Sequence, residues 1–195
     1  MKIMEVPQFG PMFRFSDADI YWALHILSDG RRMGRKKLSD AIGIGEGSMR
    51  RIIETLREWE FIEIRQTGIS ITKNGLAFLR QIPIEIVDVP AIPGSVVGEH
   101  WQGVLVFNVK DKIDNGMQQR DAGIKAGASG CTTSVIRDGH LMIPPDWILD
   151  EKDPDVARAI RHGTRITEED AIIIGSGDSR AVAIEAAINA AFELI

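Results

Sequence analysis

Residues 34–75 read GRKKLSDAIGIGEGSMRRIIETLREWEFIEIRQTGISITKNG. Four patterns follow one another in this stretch. Arg35 to Ile42 carries Leu38, Ala41 and Ile42 at helical spacing. Gly43-Ile44-Gly45 is a turn with one apolar residue at its centre. Glu46 to Trp59 places Met49, Ile52, Ile53 and Leu56 at i, i+3, i+4 and i+7, a single apolar stripe. Phe61 to Arg65 and Ile69 to Thr72 then alternate, with Thr67-Gly68 as the break between two short strands.

The flanks extend the series. Ser16 is placed to cap a helix that has Asp17 and Asp19 in its first turn, where the helix dipole favours carboxylates, and Asp29-Gly30 stops it. Ile20, Ala23, Leu24 and Leu27 form its apolar side. Thr72 caps a fourth helix, with Leu76, Ala77 and Leu79 expected on its buried side. Met1 to Phe15, rich in Pro, Phe and Met, is expected to be an arm that packs on the domain or on a partner subunit. Together residues 1–82 predict a small winged helix-turn-helix domain. In such a unit the N-terminal end of the second motif helix enters the major groove of double-stranded DNA. The side chains opposite its apolar stripe are Ser48, Arg50, Arg51, Glu54 and Thr55. Arginine can bond guanine bidentately, and Ser or Thr can meet a base or a phosphate. Arg35, Lys36 and Lys37, preceded by Arg31 and Arg32, form a basic cluster suited to phosphates. Arg65 lies near the tip of a very short wing.

Charge supports the division. The chain of 195 residues has a net charge of −5, yet residues 1–82 hold 13 Lys and Arg against 10 Asp and Glu, while residues 83–195 hold 10 against 18. The first half suits a polyanion and the second does not. The lone Cys131 cannot form an internal disulfide, which fits a reducing cytoplasm. No apolar run is long enough for a membrane span. The four histidines are too scattered for a zinc site, and no cofactor motif is present.

Residues 83–94 carry Pro83, Pro90 and Pro93 around Ile84-Glu85-Ile86-Val87 and read as a linker whose middle can add a strand to a sheet. From residue 95 the pattern is strand (Trp101 to Val109), helix (Asn115 to Ala126), a hairpin around Asp138-Gly139, helix (Pro154 to Arg161), strand (Ala171 to Ile174) and an Ala-rich helix (Ser179 to Leu194). The run Val104-Leu105-Val106-Phe107 implies burial on both faces. The fold class is therefore α/β plus a small α+β unit: a winged helix-turn-helix followed by a compact α/β domain.

Two places in the second half are candidates for a small anionic or polar effector. Gly175-Ser176-Gly177-Asp178-Ser179 joins a strand to a helix, where exposed N–H groups attract anions; the simpler reading is that Asp178 or Ser179 caps the helix. Arg120-Asp121, with Ser129 and Thr132 beyond the next glycines, is the other; an Arg–Asp ion pair and a glycine helix stop are its plain alternative. Cys131 reads as an inert buried thiol, with no assignable base. Asp150 to Asp155 reads as a solvated acidic loop and helix start.

Residues 16–80 resemble the winged-helix domains of prokaryotic, especially archaeal, transcriptional regulators. The matching parts are Met33 to Ile42, Arg50-Arg51 and Gly68 to Gly75. The whole chain resembles an archaeal winged-helix family with an uncharacterised C-terminal domain, DUF4443-like, through Arg120 to Gly130 and Ile174 to Gly177. The resemblance implies a DNA-binding regulator acting as a homodimer, and it supplies no ligand. Two other readings stay open: a small-metabolite enzyme with an appended winged helix, and a winged helix used for protein contact.

Overall fold

The computed structural model describes residues 1–3, 15–90 and 98–195. The greater part of the expected arm, residues 4–14, and residues 91–94 of the expected linker lie outside them. Two compact units result, one spanning residues 2–82 and one built on residues 83–195.

The first unit begins with α1 (Asp17–Leu27). Ser16 and Asp19 cap it reciprocally: the Ser16 hydroxyl accepts from the Asp19 N–H, and the Asp19 carboxylate accepts from the Ser16 N–H at 2.7 Å. The next helix, α2 (Arg35–Ile42), stops at Gly43, whose φ of 83° is the left-handed conformation that glycine enters without strain. Ser39 Oγ then donates to the Ile44 carbonyl at 2.6 Å and fixes the turn into α3 (Glu46–Glu58). Met49, Ile52, Ile53 and Leu56 of α3 close on Ile20, Leu24, Leu27, Leu38 and Ile42, so the three helices share one core.

A hairpin, β1 (Ile62–Arg65) and β2 (Gly68–Ile71), forms the wing. Arg65 pairs with Gly68, which makes Gln66-Thr67 the two-residue loop and corrects the break expected at Thr67-Gly68. Gly68 belongs to the strand, where a Cβ would lie 3.0 Å from the Met33 carbonyl oxygen. Met33 and Ile69 exchange two backbone hydrogen bonds of 2.9 Å, which tie the chain ahead of α2 to the wing. Thr72 caps α4 (Lys73–Leu79) by accepting from the Gly75 N–H. Ala77 is exposed, contrary to expectation. Gly75 is pressed onto the Phe61 carbonyl, so the opposite side of the helix, where Ala77 lies, faces solvent. Phe78 turns inward instead and stacks on Phe61, with centroids 4.7 Å apart.

The second unit contains β3 (Ile84–Val87), β4 (His100–Val106), a 3-10 turn (Lys110–Lys112), α5 (Met117–Lys125), β5 (Gly130–Arg137), β6 (His140–Ile143), β7 (Trp147–Ile148), α6 (Leu149–Lys152), α7 (Pro154–Thr164), β8 (Ala171–Gly177) and α8 (Arg180–Phe192). The sheet order is β3-β4-β8-β5-β6-β7, with every neighbouring pair antiparallel. Alternate residues serve opposite faces. Leu105, Ile136, Ile172 and Ile174 meet Leu149 of α6 and Val156, Ala157 and Ile160 of α7. On the other face Gly175 abuts Ala183, Ala186 and Ala187 of α8, and Cys131 abuts Gly123 of α5. The sheet is thus covered on both sides, as the Val104 to Phe107 run implied.

Ile84 to Val87 pairs with Gly103 to Val106, so the middle of the expected linker adds an edge strand to the sheet, and the second unit takes in residues from Pro83 instead of starting at residue 95. One expectation changes. The strand expected to end at Ile174 runs on to Gly177, because Gly175, Ser176 and Gly177 pair with β4, and Gly175 and Ser176 also with β5.

Candidate nucleic-acid interface

The outward face of α3 follows from its inward one. With 100° per residue, the stripe of Met49, Ile52, Ile53 and Leu56 leaves Gly47, Arg51, Glu54 and Glu58 opposite, Ser48 and Thr55 on one flank and Arg50 on the other. Arg50 and Arg51 are exposed, and Ser48 and Thr55 are half-buried. Ser48, Arg50 and Arg51 therefore share the N-terminal half of the helix, and Thr55 lies a turn and more further along. A Cβ added at Gly47 would meet nothing within 4 Å, so this end of the face is flat and open.

The surrounding cations differ in how free they are. Arg35 reaches Glu46 at 3.7 Å, which links the starts of α2 and α3, and Arg51 reaches Glu54 at 3.8 Å. Arg65 holds Glu63 at 2.9 Å, and Arg32 approaches the same carboxylate at 3.7 Å. The Arg65 hydrogen bond, with a further one from Ser70, keeps the Glu63 carboxyl below its ordinary range. Lys36, Lys37 and Arg50 are exposed and have no ion-pair partner among the described residues. Sequence reasoning named these cations but missed the two carboxylates that hold some of them, Glu46 and Glu63. Glu63 was findable: residues i and i+2 of a strand share a face, which puts it beside Arg65.

The effector residues proposed from the sequence do not gather in one place. Arg120 and Asp121 are exposed on α5 and form no ion pair with each other, since successive helix residues point 100° apart. Ser129, Thr132 and Ser176 do come to one end of β5 and β8: the Ser129 N–H donates to the Ser176 carbonyl at 2.9 Å, and Ser176 Oγ donates to the Gly130 carbonyl at 3.2 Å. The Ser176 hydroxyl is thereby used and buried, and Gly177 is closed by Val182, whose Cγ1 would lie 2.7 Å from a Cβ there. Ser179 caps α8 by accepting from the Val182 N–H at 3.3 Å. The expected anion loop is a buried strand end followed by an ordinary cap.

Cys131 is buried, and burial pushes its thiol up to about 12. The expected acidic surface is more organised than its composition suggested. Asp150 accepts from the Leu141 N–H at 2.6 Å and from Arg161 at 2.7 Å, with His140 Nδ1 at 3.9 Å. Partial burial would raise its pKa, but the hydrogen bonds from Arg161 and Leu141 win and hold it below the ordinary carboxylate range. Asp153 caps α7. Among the described residues, no three His, Cys, Asp or Glu side chains gather as a metal site, and no helix is long and apolar enough to cross a membrane.

A concave feature of the second unit lies elsewhere. A cleft of about 430 Å³ is lined by Glu85 of β3, Leu105 and Phe107 at the end of β4, and Gly163, Thr164 and Arg165 at the end of α7. It combines apolar floor residues with one acid and one base. No sequence signal pointed to it, since residues 80 positions apart line it only through the tertiary fold.

Two family models match different parts of the chain. Residues 20–85 match a family described as the CggR N-terminal DNA binding domain. No curated protein matches the chain. Among solved structures, a hypothetical protein PH0730 from Pyrococcus horikoshii OT3 superposes with a TM-score of 0.75 over 93% of each chain at 24% identity, a likeness of fold. Residues 97–194 match the family described as a domain of unknown function, DUF4443, and with that match extending over half of its length the chain belongs to this family.

Proposed function

We propose that the chain is a DNA-binding transcriptional regulator. The observation that carries this reading is the open N-terminal face of α3, with Arg50 and Arg51 exposed and Ser48 half-buried beside them, on a helix-turn-helix core that matches a DNA-binding domain family. Arg50 and Arg51 read bases, Ser48 and Thr55 meet bases or phosphates, and Lys36, Lys37, Arg35 and the wing residue Arg65 position the backbone. The wing is too short to read a groove deeply, so α3 carries the specificity. The regulator acts as a homodimer on two half-sites. Its second unit senses a small polar effector, and the cleft between Glu85 and Arg165 supports that role better than the dispersed residues Arg120, Asp121, Ser129, Thr132, Ser176, Gly177 and Ser179.

A winged helix that meets protein is the second reading. It is favoured by Ile64 on the wing, 48% exposed, and by the charge balance of α3, where Glu46, Glu54 and Glu58 offset Arg50, Arg51 and Arg57. One experiment separates the two. Genomic fragments retained by the full chain are recovered and sequenced, and the enriched site is titrated by fluorescence anisotropy at several salt concentrations. The doubly substituted Arg50→Ala/Arg51→Ala chain, with an unchanged melting curve, is expected to lose at least about 30-fold in affinity, at about 1–3 kcal/mol per base-reading arginine. Equal binding by the variant overturns the assignment.

A further inference from the structure

One helix of the second unit has an outward face that none of the described residues covers. On α5, Met117, Arg120, Asp121 and Ile124 stand at i, i+3, i+4 and i+7, so they form one stripe. All four are exposed, Met117 by 52% and Ile124 by 45%. The opposite side of α5 is spent on its own unit: Gln119 and Gly123 are buried, and Gly123 is seated on Cys131 and Ala186. The order along the stripe is apolar, basic, acidic, apolar. Read backwards, the apolar ends stay in place and the two charges exchange.

From this symmetry we infer that α5 is a dimer contact, pairing antiparallel with α5 of a second copy about a two-fold axis that passes between Arg120 and Asp121. In that arrangement Met117 meets Ile124 of the partner subunit, and Arg120 meets Asp121 of the partner subunit. Both contacts occur twice, as an isologous interface requires. A stripe at this spacing is the one that antiparallel helices bring together at a shallow crossing angle. Parallel pairing in register would set Arg120 against Arg120, and sliding one helix by a turn would set charges against apolar ends. The stripe therefore selects both direction and register, and it selects a copy of itself in preference to a partner of another sequence. The Arg120 and Asp121 side chains, which form no ion pair among the described residues, have a use on this reading.

The contact is small. Four side chains per subunit cover on the order of 300 Å² a side, below the ~800 Å² of a standard interface. The solution dimer is consequently weak, in the micromolar range, and two half-sites on one DNA would strengthen it by raising effective concentration. The inference supplies a surface for the homodimer named above. It is tested on protein alone, so its failure leaves DNA reading by α3 untouched.

The experiment is sedimentation equilibrium of the full chain at loadings from roughly 1 to 300 µM, with charge reversals whose exposed positions leave the fold intact by circular dichroism. The natural chain is expected to show a monomer–dimer equilibrium. Arg120→Asp and Asp121→Arg each place like charges across the axis twice and are expected to raise the dissociation constant at least 10-fold. The double reversal Arg120→Asp/Asp121→Arg restores complementarity and is expected to return it to within about 3-fold. A second measurement uses disulfide capture. An equimolar mixture of the Met117→Cys and Ile124→Cys chains should cross-link under mild oxidation, whereas either alone should not, because residue 117 faces 124 and not itself. A natural chain that stays monomeric, a dimer indifferent to both single reversals, or singles that the double does not rescue would each overturn the proposal.

Discussion

Gly175 tests whether the glycine-rich end of β8 serves packing or ligand binding. A Cβ placed there would lie 2.3 Å from the Ala183 carbonyl oxygen, 2.8 Å from the Ala187 nitrogen and 3.2 Å from the Ala186 Cβ. Two of the three obstacles are backbone, so no rotamer change relieves them. Gly175→Ala forces α8 to retreat by roughly 1 Å to restore an ordinary contact. That retreat opens a gap along the buried Ala183, Ala186 and Ala187 side chains, each of which forfeits a quarter to a half of its contact energy with the sheet. Overpacking of this kind costs about 1–3 kcal/mol, and the rigid obstacles place this case near 3. For a unit of this size, that lowers the melting temperature by roughly 10–20 °C. Differential scanning calorimetry of the full chain resolves the effect. The transition of residues 83–195 should move down while that of residues 2–82 stays in place. A shift under about 2 °C would refute the close-approach argument and return Gly175 to the pool of ligand-site candidates.

Other consequences are independent of this one. Gly47→Ala fills open space on α3 with a better helix former and should stabilise the first unit by about 0.5–1 kcal/mol in urea unfolding. Glu63→Gln releases Arg65 and Arg32 and should steepen the salt dependence of DNA binding by one to two units of slope, roughly 0.9 per phosphate gained; an unchanged slope would mean that the pair does not stand in the way of phosphate contact, either because neither arginine reaches the backbone or because both already do in the natural chain. Asp150 titrates below its unfolded value, so the stability it contributes is present above about pH 4 and is lost as pH falls through the folded pKa. Asp150→Asn should therefore cost about 1–3 kcal/mol at pH 7 and flatten acid unfolding of the second unit between pH 5 and 3, read by near-ultraviolet circular dichroism. Cys131, with its thiol pushed up to about 12, should resist iodoacetamide in the folded chain and react once the chain is unfolded in guanidinium.

Much of the first unit was legible because its signals are local. Capping residues, the left-handed glycine after Ile42 and the 3.6-residue stripe of α3 act within a turn or two of themselves, and the structure meets them nearly residue for residue. The Asp138-Gly139 hairpin is the same kind of signal, with both residues at positive φ, 51° and 78°. The second unit was legible as a list of elements but not as a sheet, because pairing β8 between β4 and β5 depends on contacts across tens of residues. The Gly-Ser-Gly run misled for a physical reason. Small residues suit a loop that exposes N–H groups, and they equally suit a strand against which a helix lies very close. Only the position of α8 decides between them. The cleft at Glu85 and Arg165 was illegible on the same ground.

The ion pairs of the first unit also limit how it can hold DNA. Taken by sequence, Arg32, Arg35, Lys36, Lys37, Arg50, Arg51 and Arg65 suggest seven phosphate or base contacts per unit. In the folded unit Arg35, Arg51, Arg65 and Arg32 each have an acidic partner within 4 Å, and three of the four pairs are long and exposed. Lys36, Lys37 and Arg50 are unpaired among the described residues, whereas Arg51 lies 3.8 Å from Glu54. If the pairs persist on binding, about three cations release counterions, and the logarithm of affinity should fall with the logarithm of salt at a slope near −2.7 per unit. Raising salt from 50 to 200 mM then weakens binding by roughly 40-fold. A slope of −6 or steeper would mean that Glu46 and Glu63 yield their arginines to phosphate. The carboxylates would then act as gates on affinity, and their removal would leave the slope as it is instead of steepening it. Measuring the natural chain and Glu63→Gln side by side separates these outcomes, because a standing ion pair subtracts from the slope and a transient one does not.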